Sequence, residues 1–299
     1  MARLAVISDL HVDINHFTEI ELQQLLVILK EKQVTHLHLA GDVANRVETC
    51  QEIIEFFSSA GLPTTFVFGN HELADVSGEA MMTHFPNTHF LNERYIPLNH
   101  QTVLLGFNGW YDYSYSTMET EKEIVRLKNL YWYDRFISRA FSDPVVNQQG
   151  LKRLEYLLTD LEKKGLSVIL TTHFVPKREF IVYQTGKYQR WNQLNAFLGS
   201  EALGELIDGF SNVKQVVFGH THRRFEDQKI EETIYSCRPF GYFYEWQLTR
   251  KFIQENQLMD TFQMAKIRNV LKTNQHAFDI YKQEHLKEEF QSAMTLIDY

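Results

Sequence analysis

Cysteine is almost absent: the 299-residue chain holds two, Cys50 and Cys237. Two thiols so far apart cannot build a disulfide framework and read as reduced side chains. Proline is scarce at 6 residues and glycine stands at 14, which excludes a collagen-like repeat and leaves little room for extensive disorder. No apolar run approaches the roughly 20 residues that a membrane-spanning helix needs. The segment Met1 to Asp9 has a short apolar stretch but lacks the long apolar region and small-residue cleavage site of a signal peptide. Excess positive charge is missing too. Lys and Arg number 30 against 38 Asp and Glu, a formal charge of −8. That balance argues against stable nucleic-acid binding, an affinity supplied mostly by Lys and Arg. A cytoplasmic protein without membrane attachment is the expectation.

What is present is the composition of an ordinary globule, 44% hydrophobic and 23% charged. A chain this long buries roughly three quarters of the surface its unfolded form exposes, so one or two domains with a large core are expected. The first ninety residues alternate strand and helix patterns: strands at 4–8, 35–40 and 64–68, helices at 19–30 and 47–60. The pattern returns with a helix at 147–164 and strands at 167–172 and 214–218. Short runs from Phe225 to Gln247 read as antiparallel strands closing a sheet. Alternation of this kind implies βαβ units, whose chemistry sits just past the carboxyl ends of the strands.

Those ends carry an unusual set of residues. The first strand leads to Asp9-Leu-His11, the second to Gly41-Asp42 and the third to Gly69-Asn70-His71-Glu72. The strand at 167–172 leads to His173, and the one at 214–218 to Gly219-His220-Thr221-His222. Carboxylates, imidazoles and amides are costly to bury beside apolar strands unless they are paired or bind metal. Imidazole mixed with carboxylate suits Zn, Fe or Mn, and the lack of nearby Cys argues against a structural zinc knot. Asp9 and His11 can point to the same side, as can His220 and His222. Gly41, Gly69 and Gly219 allow sharp turns and close approach. There are enough ligands for two ions roughly 3.5–4 Å apart with one bridging carboxylate.

As a set, these motifs resemble the calcineurin-like metallophosphoesterases from residue 4 to about 247. The resemblance implies a four-layer αββα sandwich, an α/β (α+β) fold of two mixed β-sheets flanked by helices. It implies that Asp9, His11, Asp42 and His222 hold one metal, and that Asp42, Asn70, His173 and His220 hold the other. A metal-bridging hydroxide would attack phosphorus in line, on a small phosphorylated substrate such as a nucleotide or another phosphoester. His71 would give a proton to the leaving oxygen or steady the phosphoryl group, and Glu72 would orient His71. Arg46 and Asn70 are the expected substrate contacts. Where protein serine/threonine phosphatases carry Gly-Asp followed by Asp-Arg-Gly, this chain has Asn45, Arg46 and Val47. That departure removes the usual orienting carboxylate for the catalytic histidine. The segment Cys237-Arg-Pro-Phe-Gly241-Tyr242 resembles the Asn-Pro-x-Gly-Tyr turn of bacterial members. The expected activity is phosphodiester or phosphomonoester hydrolysis; the rivals are a nuclease of the same superfamily and a catalytically silent scaffold.

The metallophosphoesterase domain is expected over 1–249, with an aromatic, helical, cap-like insertion at about 110–142 containing a helix from Glu119 to Ala140. A C-terminal helical extension over 250–299 would cover the cap or form the face of a homo-oligomer. The aromatics from Trp110 to Tyr133 are read as core or cap packing, with stacking on a substrate ring as the functional alternative. His36-Leu-His38 resembles the opening of metallo-β-lactamase sites, but Ala40 and Gly41 stand where that pattern needs Asp and His. The pair is therefore expected to be structural, like His16, His84, His89, His100, His276 and His285. Lys177-Arg178 and Arg223-Arg224 flank the ligand loops and are candidate anion contacts. Asp13 is a candidate for supporting the ligands from behind.

Overall fold

The computed structural model describes residues 2–261 and 263–299. Strand β1 (Arg3–Ile7) alternates its side chains between two environments, as extended backbone must. Ala5 and Ile7 face helices α1 (Glu19–Glu31) and α2 (Val47–Ser59), while Leu4 and Val6 face a second sheet. Helix α1 begins where Thr18 and Glu21 cap each other, Thr18 N–H donating to Glu21 Oε2 at 2.8 Å. Its Leu22, Leu25, Leu26 and Leu29 form the buried stripe.

Strands β2 (His36–Ala40) and β3 (Thr64–Val67) lie parallel beside β1. Two short helices, α3 (Asn70–Asp75) and α4 (Glu79–Thr83), lead into the second sheet. That sheet holds β4 (Arg94–Pro97), β5 (Thr102–Phe107), β6 (Ser167–Thr172), β7 (Val213–Phe218), β8 (Gln228–Ile230) and β9 (Thr233–Cys237), in the order β4-β5-β6-β7-β9-β8. Its β5-β6-β7-β9 pairs are parallel and its two edges antiparallel, so it is mixed. The same alternation recurs in β6. Ile169 meets Leu4, Val6 and Val67 between the sheets, while Val168 and Leu170 face helices α6 (Asp143–Lys163) and α7 (Glu201–Asp208). Three apolar layers therefore separate four structural layers, as expected. Each fully buried Leu, Ile or Val contributes about 1.5–3 kcal/mol.

Three features depart from the sequence reading. The hairpin β4–β5 went unanticipated; its turn is set by Asn99, whose Oδ1 accepts from the N–H of Gln101 and Thr102. The insertion helix α5 (Glu121–Tyr131) stops well short of Ala140, because Trp132 turns to extended backbone and a 3₁₀ turn follows at Tyr133–Phe136. The C-terminal stretch is not wholly helical. After α8 (Gln247–Glu255), α9 (Met264–Thr273) and α10 (Gln275–Ser292), strand β10 (Thr295–Asp298) pairs antiparallel with β1. The tail thus completes the first sheet, in the order β10-β1-β2-β3. Arg224 to Glu289 at 2.6 Å and Lys282 to Glu21 at 2.8 Å tie α10 to the body.

The start of the insertion is core. Trp110, Tyr111, Tyr113 and Tyr115 are buried. Asp143 at the head of α6 accepts from Trp110 Nε1 at 2.9 Å, from the Tyr113 hydroxyl and from Lys128 Nζ at 2.8 Å. Among the described residues no helix is long and apolar enough to cross a membrane.

Candidate metal centre

The five strand ends singled out in the sequence converge on one edge of the sandwich. Asp9, His11 and Asp42 follow β1 and β2, Asn70 and His71 open α3 behind β3, and His173, His220 and His222 follow β6 and β7. The backbone there is bent in an uncommon way. Asp9, His11, Asp42, His220 and His222 all have φ between 43° and 68°, a left-handed conformation that costs a non-glycine residue roughly 1–2 kcal/mol. The surroundings hold it in place. Asp9 N–H donates to Gly41 O and His11 N–H to Asp42 O, each at 3.0 Å, and His220 N–H donates to the Asp9 carboxylate at 3.0 Å. Two glycines are required for the approach. A Cβ on Gly69 would sit 2.1 Å from Asp42 Oδ1, and one on Gly219 would sit 2.1 Å from Asp9 Oδ2.

The side chains form two groups that share Asp42: Asp9, His11, Asp42 and His222, and Asp42, His173 and His220. Within each group the potential ligand atoms lie within 4.8 Å of one another. In the first, His11 Nε2 and His222 Nε2 face each other at 3.1 Å, and His222 Nε2 is 3.3 Å from Asp9 Oδ1. In the second, His173 Nε2 lies 3.1 Å from His220 Nδ1, 3.2 Å from Asn70 Oδ1 and 3.4 Å from Asp42 Oδ2. Asn70 thus joins the second group.

Outer partners choose the atom each ligand presents. His173 Nδ1 sits 3.1 Å from Ala40 O, which can accept its proton, so Nε2 is the atom turned to the cluster. Glu245 Oε2 does the same for His222 at Nδ1, at 2.7 Å. Asn70 Nδ2 donates to Asp134 Oδ1 at 2.8 Å, so the amide oxygen turns toward His173. Asp134 is itself fixed by Trp132 Nε1 at 3.0 Å. Such supports orient a ligand and raise its basicity.

The electrostatics fit cations. Burial alone would push the Asp9 and Asp42 carboxyls up, but the surrounding imidazoles outweigh it and hold both well below the usual carboxylate range. Burial pushes His220 down to about 3 and His11 well down, so both imidazoles are neutral with a lone pair to offer. Burial would also lower His222 and His173. The charge on Glu245 and Asp9 overrides it for His222, and that on Asp42 for His173, holding them up at about 10 and about 9. The cluster therefore draws in positive charge, and its nitrogen and oxygen donors, converging without thiolate, suit a pair of metal ions.

His71 stands beside the shared aspartate, Nε2 at 3.8 Å from Asp42 Oδ2. Its Nδ1 lies 2.5 Å from Asn45 Oδ1, and its Nε2 lies 3.2 Å from the Tyr242 hydroxyl. The ring stacks on Tyr133, centroids 4.0 Å apart and planes 10° from parallel. Glu72 does not orient His71. Its carboxylate instead accepts from the N–H groups of Asp42, Val43, Ala44 and Gly69 at 2.6–3.0 Å, clamping the Asp42 turn. The sequence shows Asn45 only as a departure from a motif; in the fold it supplies the His71 contact.

Arg46 is exposed, with its Nε 3.8 Å from Asp75. Asp13 supports from behind: its Oδ2 accepts from Asn45 N–H at 2.8 Å. Lys177, Arg178 and Arg224 are occupied by Asp208, Glu201 and Glu289. Glu245 and Asp134 went unrecognised in the sequence, and Tyr133 is read there only as part of the aromatic run. Glu245 lies close behind Gly241-Tyr242, a turn that docks on the loop after β1 through Gly241 N–H to Asp9 O at 3.0 Å, and that proximity was the available signal.

A family model described as calcineurin-like phosphoesterase matches residues 2–224. No curated protein sequence matches significantly. Among solved structures, the chain is similar to the phosphopantetheinyl hydrolase of Mycobacterium tuberculosis, with TM-score 0.63 and 18% identity, covering 82% of this chain and 92% of that one. It is also similar to a dimetal phosphatase from Danio rerio, with TM-score 0.50 and 14% identity over 79% of this chain and 87% of the other.

Proposed function

The chain belongs to the calcineurin-like phosphoesterase family and is a hydrolase of phosphoric ester bonds; we propose that it works with two metal ions bridged by Asp42. The observation that carries this reading is the membership of Asp42 in both ligand groups. Asp9, His11 and His222 would hold one ion, and Asn70, His173 and His220 the other. When bound, the ions would acidify a water and neutralise charge gathering on the phosphoryl oxygens. Manganese, iron and zinc all accept this donor set.

The protein's own groups do the rest. His71 faces the reacting edge with Nε2, the atom that would pass a proton to the leaving oxygen, and Tyr133 and Asn45 keep the ring from turning. Arg46 is a substrate contact in this reading, its exposed guanidinium free to leave Asp75 for a phosphoryl oxygen. Asn70 would meet the same group. Both cysteines are buried and unpaired, which fits a reducing cytoplasm.

The test compares wild type with D42N on p-nitrophenyl phosphate and a p-nitrophenyl phosphodiester in Mn²⁺, beside elemental analysis of both proteins. Wild type is expected to hold close to two metal equivalents and to turn over at least one ester, with D42N losing both properties. Equal rates for the two proteins would overturn the proposal.

A further inference from the structure

A cleft of about 870 Å³ opens beside the metal centre. Two residues join the two sites. Thr221, between His220 and His222, lines the cleft, and so does Trp132, whose ring centroid lies 6.4 Å from that of His220. His222, with its side chain 15% exposed, is open to solvent where Asp9 and His11 are sealed at 0%. The opposite wall comes from the 3₁₀ segment Gly186–Phe197 and the start of α9.

The lining has a definite chemistry. Among the described residues no acidic one contributes to it, in a chain of net charge −8, whereas Lys187 and Arg223 do. Both are exposed, and among the described residues neither is held by a carboxylate, unlike neighbouring Lys177, Arg178 and Arg224. An acid-free wall in an acidic protein attracts an anion. The same wall exposes two large aromatics, Tyr188 and Trp191, each at 51%. Cations stand over both, Lys187 Nζ 5.0 Å from the Tyr188 ring and Arg190 5.3 Å from the Trp191 ring. The volume falls in the range of about 300–1,000 Å³ typical of organic ligand sites, far more than a phosphoryl group alone needs.

We propose that this cleft binds the organic arm of the substrate and that the arm is a nucleoside, making the substrate a nucleotidyl phosphoester. The base stacks on the Trp191–Tyr188 wall, and Lys187 and Arg223 favour the negative charge of the phosphoester that carries it. The claim rests on the hydrolase reading and extends it to a substrate class. Base identity is expected to matter little. Asn192 spends both ends of its amide on the Gln184 backbone, at 2.7 and 2.9 Å, so it is not free to read a base edge. Stacking tolerates any base, since every base has a π-face.

The metal-loaded enzyme is assayed on thymidine 5′-(4-nitrophenyl) phosphate and on methyl 4-nitrophenyl phosphate, which share a leaving group and differ only in the other arm. Wild type is expected to prefer the nucleotidyl ester at least tenfold in kcat/KM. That preference is expected to fall toward parity in W191A and in K187A/R223A. No preference in wild type, or an undiminished one in both variants, overturns the nucleoside assignment. Calorimetric titration with thymidine 5′-monophosphate gives a second readout independent of turnover: W191A is expected to bind at least tenfold more weakly, and equal affinities overturn the proposal. Failure of wild type to hydrolyse these two diesters and p-nitrophenyl phosphate alike, while thymidine 5′-monophosphate still binds, would remove the hydrolase reading and leave the cleft assignment standing. Trp191 is half exposed, so W191A is expected to melt like wild type.

Discussion

His38 Nε2 lies 2.8 Å from Thr171 Oγ1, a polar contact that joins β2 of one sheet to β6 of the other in a mostly hydrocarbon layer. Its Nδ1 reaches Thr65 Oγ1 at 2.9 Å, and His36 Nε2 reaches the same hydroxyl at 2.8 Å. The His-x-His pair is thus spent on threonine hydroxyls and fastens the sandwich.

That arrangement makes stability depend on pH. Burial pushes His36 down to about 4 and His38 down to about 3, from an ordinary value of 6.5. Below pH 6.5 the unfolded chain takes up protons that the folded one refuses, so stability on this account is level above that pH and declines down to about 3. Thermal melts from pH 7.5 to 4.5 are expected to show a falling midpoint, with a shallower slope in H36Q. An identical slope in that variant would exclude a contribution from His36.

Glu245 holds His222 by its Nδ1. Removing such a support typically weakens metal binding about 10–100-fold. E245A is expected to lose Mn²⁺ affinity by that order and E245Q by less, since a glutamine oxygen still accepts from Nδ1; titration calorimetry on stripped protein measures both.

Asp134 turns the Asn70 amide from inside the insertion. In D134A the amide can rotate and present nitrogen to a cation, so the second ion is expected to bind about 10–100-fold more weakly while the first is retained. Metal-to-protein ratios at limiting Mn²⁺ should fall toward one, and a ratio still near two would show that Asn70 needs no such guide.

Gly69 and Gly61 separate close approach from backbone strain. Gly61 has φ +82° with open space around its missing Cβ, whereas a Cβ on Gly69 collides with Asp42 Oδ1. G61A is expected to cost about 1 kcal/mol of stability with metal loading intact. G69A is expected to lose metal and at least a hundredfold in hydrolysis, even at temperatures where it stays folded. Equal metal content in the two variants would contradict the packing argument.

Local information was enough for the skeleton of the site. Apolar runs of strand length, each followed by Asp, His or Asn, place ligands at strand ends because a chain leaving an apolar strand must surface where the sheet does. Strands β1 and β6 read only as unbroken apolar runs because both of their faces are buried, and which residues meet helices and which meet the other sheet is settled by the layers on either side. Helix α5 was overextended because its pattern runs on past Trp132, where the backbone turns to place Tyr133 and Asp134 against the metal edge.

Strand β10 is four residues behind a long helix, and pairing with β1 across nearly the whole chain leaves no trace in neighbouring residues. The supports of the site were hidden in the same way. Asp134 is 64 positions from Asn70, and Tyr242 is 171 from His71. Left-handed backbone at Asp9, His11, Asp42, His220 and His222 is uncommon for any non-glycine residue, though Asp and His tolerate it better than most, and contacts closed by the whole fold sustain it. Periodicity and motif spacing record what a residue does with its neighbours in sequence. Which distant group turns an imidazole or an amide is decided by packing, once the two sheets have met.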